Sequence, residues 1–207
     1  PDGPTHGGNF DLSYLRAVPG LIIMSPAGAE DLRRMLATGT AHDGPAAVRY
    51  PKDRAAPSAG GGPAVPLPVG QAEVVRHGDG PEAVLVFGPL LEAATEAAEA
   101  TDATVVNMRF VKPLDGDLLR ELGASKRRLI TVEENTLAGG AGDGVRSFVA
   151  EAGLGLEVVC LGLPDAFIPQ GERKDLLAEY GLDAAGIGAH LGRPAAGGTV
   201  APDVARQ

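Results

Sequence analysis

Apolar positions along this chain recur with two different periods. At 21–24, Leu, Ile, Ile and Met stand in a row, a short continuous run that reads as a buried strand. Leu32, Met35 and Leu36 then repeat at i, i+3 and i+4, which is the stripe of a helix. Ser25-Pro26 precedes that helix, Glu30 and Asp31 fall in its first turn, and Gly39 follows its predicted end. A short helix over 10–17 and a strand over 46–50 complete the first 54 residues. Beyond residue 69 the alternation is more regular. Strand-like runs at 72–76 and 83–87 flank His77-Gly78-Asp79-Gly80, and Asp-Gly predicts a hairpin turn there. Helices follow over 90–100, 114–122 and 142–152, with strands over 104–108, 129–133 and 157–161. Two short helices, 173–180 and 184–191, come last. Strands alternating with helices predict βαβ units around a largely parallel sheet, an α/β fold.

The pattern is interrupted once. Residues 55–68, AAPSAGGGPAVPLP, are half Gly and Pro. Proline fixes φ and lacks an amide donor, while glycine loosens the backbone, so the stretch predicts a linker. It separates segment 1–54 from segment 69–192, and a flexible tail is expected over 193–207. Two strands and two helices in 54 residues are too few to enclose a core. The apolar edges at 21–23 and 46–48 are therefore expected to lie uncovered, with the first segment partly disordered or self-associating. Segment 69–192 is expected to fold alone. Pro1, with no leading strand before Asp2, points to a piece of a longer chain or to a trimmed methionine.

Composition narrows the function. The chain has 207 residues, with 18 basic against 27 acidic, a formal charge of −9. A pI near 4.9 argues against nucleic acid as a partner, since phosphate backbones are held by clustered Lys and Arg. No apolar run approaches the ~18 residues of a membrane span. The one cysteine, Cys160, allows neither an intrachain disulfide nor a Cys-rich zinc site. A cytoplasmic setting is the expectation.

Several motifs invite chemistry. Gly78-Asp79-Gly80 is followed, after 26 intervening residues, by Asn107, a spacing that resembles the metal site of thiamine diphosphate enzymes. The metal-binding version enters a helix, whereas this one joins two strand-like runs. Gly142-Asp143-Gly144 has no following asparagine. Gly139–Gly142 opens a helix and could hold phosphate on free amides, or could serve close helix–sheet packing. Glu133-Glu134 could do acid–base work, or could be solvated or cap a helix. No two of His6, His42, His77 and His190 have metal-ligand spacing. His6 stands apart, in a Gly-rich loop with Asp2 and Thr5 that reads as a site loop.

That loop continues as DGPTHGGNFDLSYLRAVPGLIIMSP and resembles the pyrimidine-binding domain of the 1-deoxy-D-xylulose-5-phosphate synthase family, in the transketolase superfamily. DGPAAVRYP at 43–51 is similar to the end of that domain. MRFVKPLD at 108–115, TVEENTLAGGAG at 131–142, LGLPDAFIPQG at 161–171 and YGLDAAGI at 180–187 resemble the family's C-terminal domain. The resemblance implies a partial pyrimidine-binding domain at 1–54, then a transketolase C-terminal domain with a mainly parallel mixed sheet. It implies condensation of pyruvate with glyceraldehyde 3-phosphate, with loss of CO2, toward isoprenoid, thiamine and pyridoxal precursors. It implies His6 as the catalytic residue, and Asp2 and Lys52 as substrate-binding residues, Lys52 standing where the family commonly has an arginine. Thiamine diphosphate and Mg2+ belong to the complete enzyme, and none is expected on this chain alone, because the family's diphosphate-and-metal domain lies upstream. The missing portion or a partner subunit, and a homodimer, are the expected partners. The rival expectations are a non-catalytic docking module and the small subunit of a split enzyme.

Overall fold

The computed structural model describes residues 3–54 and 62–193. The chain runs α1 (Asp11–Arg16), β1 (Ile22–Met24), α2 (Ala29–Ala41), β2 (Ala46–Val48), β3 (Glu73–Arg76), β4 (Glu82–Phe87), α3 (Leu91–Ala98) and β5 (Thr104–Asn107). It continues through β6 (Phe110–Lys112), α4 (Gly116–Ser125), β7 (Arg128–Thr136), α5 (Ala141–Glu151), β8 (Glu157–Leu163), α6 (Arg173–Glu179) and α7 (Ala184–Gly188).

Five strands form the larger sheet, in the order β3-β5-β4-β7-β8. All of its pairs are parallel except β3 on β5. Every residue of β4 and β7 is buried, because helices cover both faces. Successive side chains along a strand point to opposite faces. Val84, Val86, Ile130 and Val132 accordingly share one core with Ala94 and Ala98 of α3 and Ile187 of α7. Ala83, Leu85, Phe87 and Leu129 share the other with Leu119 of α4 and Val145 of α5. The helices start where their caps allow. Asp115 accepts the Leu118 amide at 3.0 Å, and Asp183 accepts the Gly186 amide at 2.8 Å.

The smaller sheet has the order β2-β1-β6, with β1 parallel to β2 and antiparallel to β6. Strand β6 comes from beyond the linker and covers the edge expected to be bare. Leu21 is 8% exposed and Ile23 0%, and both join Leu12 in the α4–α5 core. Ile22 and Met24 pack instead with Met35, Leu67 and Phe110. β2 does remain at an edge, with Ala46 exposed. The sequence conceals β6 because Arg109 and Lys112 break up its apolar run. Arg109 takes a left-handed φ of 57° to turn the chain from one sheet into the other. Its guanidinium is tied to Glu73 and lies 3.5 Å from Asp31.

Two further expectations fail. The run around Gly78 is not a hairpin, because β5 lies between β3 and β4. The loop packs backbone to backbone on the entry to β5. A Cβ on Gly78 would sit 2.1 Å from the Asp102 carbonyl oxygen, which accepts the Gly80 amide at 2.9 Å. The helical stripe also narrows. Met35 is fully buried, whereas Leu36 is 53% exposed, and α2 runs past Gly39 to Ala41.

Candidate active site

Strand β7 ends in Glu133-Glu134-Asn135-Thr136, four polar residues that are all buried. Buried polar groups must find partners, and these four reach in different directions. The Glu133 carboxylate accepts the Ala141 amide at 2.7 Å and the Gly142 amide at 2.8 Å. It therefore sits on the N-terminus of α5, where free amides and the helix dipole favour an anion. Burial still pushes its pKa up to about 7, against the pull of those amides and of Arg16 and Arg49. Of the readings open for this pair, Glu133 is the helix cap and neither residue is solvated. The glycine loop serves close packing rather than phosphate. A Cβ on Gly142 would lie 2.5 Å from the Thr131 hydroxyl and 2.7 Å from the Cys160 sulfur.

Asn135 accepts the Leu12 amide at 3.1 Å and donates to the Ser13 hydroxyl at 2.8 Å. The Thr136 amide donates to the Asn9 carbonyl at 2.7 Å. Together these bonds fix α1 and the loop before it. Glu134 accepts from the Arg173 guanidinium, and its carboxylate lies 3.8 Å from Nη1 of Arg49. Arg49, just after β2, donates to the Gly8 carbonyl at 3.2 Å and to the Glu134 carbonyl. Its Nε lies 3.5 Å from Asp11. Arg173, at the start of α6, also donates to Asp53 at 3.0 Å.

These groups surround a cleft of about 360 Å³, lined in part by His6, Arg49, Lys52, Glu134 and Arg173. His6 and Lys52, 46 positions apart in sequence, are thus brought to one cavity. His6 is exposed, and its Nδ1 lies 2.9 Å from the Thr5 hydroxyl. Its amide donates to the Gly3 carbonyl at 3.2 Å, which curls the loop. Asp2 lies outside the described residues. Arg49, Lys52 and Arg173 outnumber Asp11 and Glu134 in the lining, giving a local excess of positive charge in a chain of net charge −9. Such a cleft suits a small anion, and its exposed histidine can exchange a proton there. Sequence reasoning missed Arg49 and Arg173, and singled out Glu134 only together with Glu133. The adjacent glutamates were a visible hint, whereas Arg173 stands in a polar run with no period to mark it.

Neither Gly-Asp-Gly run fits a diphosphate or its metal. The Gly142 amide is taken by Glu133, and Asp143 accepts the Gly139 amide at 2.7 Å. The Asp79 amide donates to Asp102, while Asn107 sits at the far end of β5 and donates to Asp31 at 2.7 Å. Among the described residues, no three His, Cys, Asp or Glu side chains gather to hold a metal ion. No helix there is long and apolar enough to cross a membrane.

Comparison with known proteins decides the family. The transketolase C-terminal domain family matches residues 70–187, and the transketolase pyrimidine-binding domain family matches residues 1–57. The chain belongs to the transketolase C-terminal domain family. Within it, the chain is 54% identical over 188 residues to a 1-deoxy-D-xylulose-5-phosphate synthase of Thioalkalivibrio sulfidiphilus. It is 52% identical over 187 residues to the synthase of Stutzerimonas stutzeri. Each match covers 90% of this chain and 29% of the relative, so the chain spans under a third of their length. Among solved structures, a split-gene transketolase described as an inactive beta4 tetramer is similar, with a TM-score of 0.74 at 26% identity. That match covers 90% of this chain and 60% of the other. A Campylobacter jejuni transketolase, at 19% identity and a TM-score of 0.68, shares the fold over 90% of this chain and 28% of its own.

Proposed function

We propose that this chain is the C-terminal portion of a 1-deoxy-D-xylulose-5-phosphate synthase and that its cleft holds the acceptor, glyceraldehyde 3-phosphate. The observation that carries this reading is the meeting of His6 and Lys52 in one positively biased cleft. The identity of 54% to a synthase supports it. Lys52 binds the aldehyde's phosphate as a point charge, without the planar fork of an arginine. His6 hands a proton to the aldehyde oxygen as the new carbon–carbon bond forms, so that no full alkoxide builds up. Asp2 accepts a hydrogen bond from a substrate hydroxyl.

Thiamine diphosphate and Mg2+ are assigned to the rest of the complete enzyme, since the Gly-Asp-Gly runs here are otherwise engaged. The proposed division is a partial pyrimidine-binding domain at 1–54, a linker at 55–68, a C-terminal domain at 69–192 and a tail at 193–207. A homodimer in the cytoplasm completes the proposal. The split-gene neighbour favours a second reading, the small subunit of an enzyme completed by another polypeptide.

The test replaces the corresponding third of the Thioalkalivibrio sulfidiphilus synthase with this chain and measures pyruvate decarboxylation and carboligation separately. Lys52→Ala should raise the aldehyde KM roughly tenfold or more and leave pyruvate alone, since a charge-assisted contact is worth about 1.5–3 kcal/mol. His6→Ala should lower carboligation kcat about 10²- to 10⁴-fold. If Lys52→Ala weakens pyruvate as much as the aldehyde, or His6→Ala leaves carboligation intact, these roles are wrong. Supplying the upstream portion as a separate polypeptide tests the second reading, which requires activity in trans.

A further inference from the structure

We infer that Arg173 is a positioning residue that sets where Lys52 presents its charge, an inference that rests on the phosphate-binding role proposed for Lys52. Lysine binds phosphate through a single flexible ammonium and brings no geometry of its own. Placement must then come from the backbone that carries it. Lys52 sits on a short exposed stretch, between Arg49 and Asp53, and both of these are tied to the same buried carboxylate. Arg49 reaches Glu134 directly, through its side chain and the Glu134 carbonyl. Asp53 reaches it through Arg173, whose Nη1 holds Asp53 at 3.0 Å while Nη2 holds Glu134.

The Asp53 amide also donates to the Pro51 carbonyl at 3.0 Å, closing the turn with Lys52 at its centre. The stretch is therefore strung between two anchors on the end of β7, and Arg173 supplies the second. A guanidinium, with donors in a fixed planar fork, holds two carboxylates from different segments at a set geometry. Glu134 is nearly enclosed, with its side chain 9% exposed, so that end of the bridge is the firm one. Asp53 is 45% exposed and adjusts more freely.

The test uses the chimeric enzyme and two acceptors, D-glyceraldehyde 3-phosphate and unphosphorylated D-glyceraldehyde. Arg173→Ala should raise KM for the phosphorylated acceptor by about three- to tenfold, with kcat and the unphosphorylated acceptor nearly unchanged. Asp53→Asn leaves the buried end of the bridge intact and should raise the same KM by about two- to fivefold, the range of a partly exposed pair. Arg173→Lys should rescue only in part, because an ammonium lacks the reach and the fixed fork of the guanidinium. In a Lys52→Ala background, neither change should cost anything more, as expected of residues acting through one group.

Equal loss with both acceptors from Arg173→Ala, or an undiminished effect in the Lys52→Ala background, would overturn the inference. Should Arg173→Ala fail to fold, Asp53→Asn decides: a KM effect equal on both acceptors, or none on either, sinks it. A Lys52→Ala change that raises KM equally for the two acceptors removes the phosphate-binding role itself and this inference with it. A Lys52→Ala change that acts on the phosphorylated acceptor alone, beside an Asp53→Asn change that acts on both acceptors alike, removes this inference alone.

Discussion

In the large sheet, β7 has nine residues, all buried, and parallel partners on both sides. In the small sheet, β1 has three residues, also buried, and one of its two partners is β6, from the chain beyond the linker. The large sheet gains its stability from two helix-covered faces. The small one cannot, because its core of Ile22, Met24, Met35 and Leu67 closes only when Phe110 arrives. The cleft lies where the two meet, and its parts are fixed differently from either core. Charged and amide groups at the end of β7 hold the His6 loop, Arg49 and the Lys52 stretch from below. Packing sets where the sheets lie, whereas buried polar bonds set where the site residues point.

Removing Phe110 should break this contrast most strongly. Phe110→Ala deletes a fully buried ring and should cost about 3–5 kcal/mol in urea denaturation. The loss should fall on β1 and β2 first, seen as faster amide exchange there than in β4. A cost under about 1 kcal/mol would show that the small sheet does not depend on β6.

The large sheet carries its own test in Glu133. Its pKa rises from 4.5 in the unfolded chain to about 7 when folded, mainly through burial. The folded state therefore binds the proton more tightly. That contribution to stability is fully present below pH 4.5 and is lost as pH rises through about 7. The change amounts to about 3 kcal/mol. Measured from pH 4.5 to pH 8, the parent chain should lose about that much stability relative to Glu133→Gln. A parent that instead gains on the variant would show that the α5 amides and the nearby arginines outweigh burial.

The smallest effect belongs to α2. Leu36→Gln should change stability by no more than about 0.5 kcal/mol, because the side chain stands 53% exposed. A loss of 2 kcal/mol or more, roughly what burial of a leucine is worth, would place Leu36 in a contact that this structure lacks.

Much of the large sheet was legible in sequence. β4, β7 and β8 are apolar runs bounded by polar or glycine residues, and the helices expected over 114–122 and 184–191 correspond to α4 and α7. β6 was not legible, since a three-residue strand flanked by Arg109 and Pro113 has too little pattern to show. The hairpin expected at Gly78 failed because local turn chemistry says nothing about which strand enters between two neighbours. Of the proposed site residues, His6 and Lys52 were singled out through resemblance and line the cleft, and Asp2 falls outside the described residues. Arg49, Glu134 and Arg173 act through one another across 124 positions of sequence, and no local spacing records that.

The claim that most needs a direct test is that the first segment is held by β6 rather than left with a bare edge. Hydrogen–deuterium exchange on the intact 207-residue chain addresses it. The Ser25 amide, which donates to the Arg109 carbonyl at 2.8 Å, and the Ile23 amide on the same edge of β1 face β6 and should exchange in the same slow class as those of Ile130 and Val132 in β7. Exchange within seconds at Ile23 and Ser25, beside a protected β7, would contradict the account.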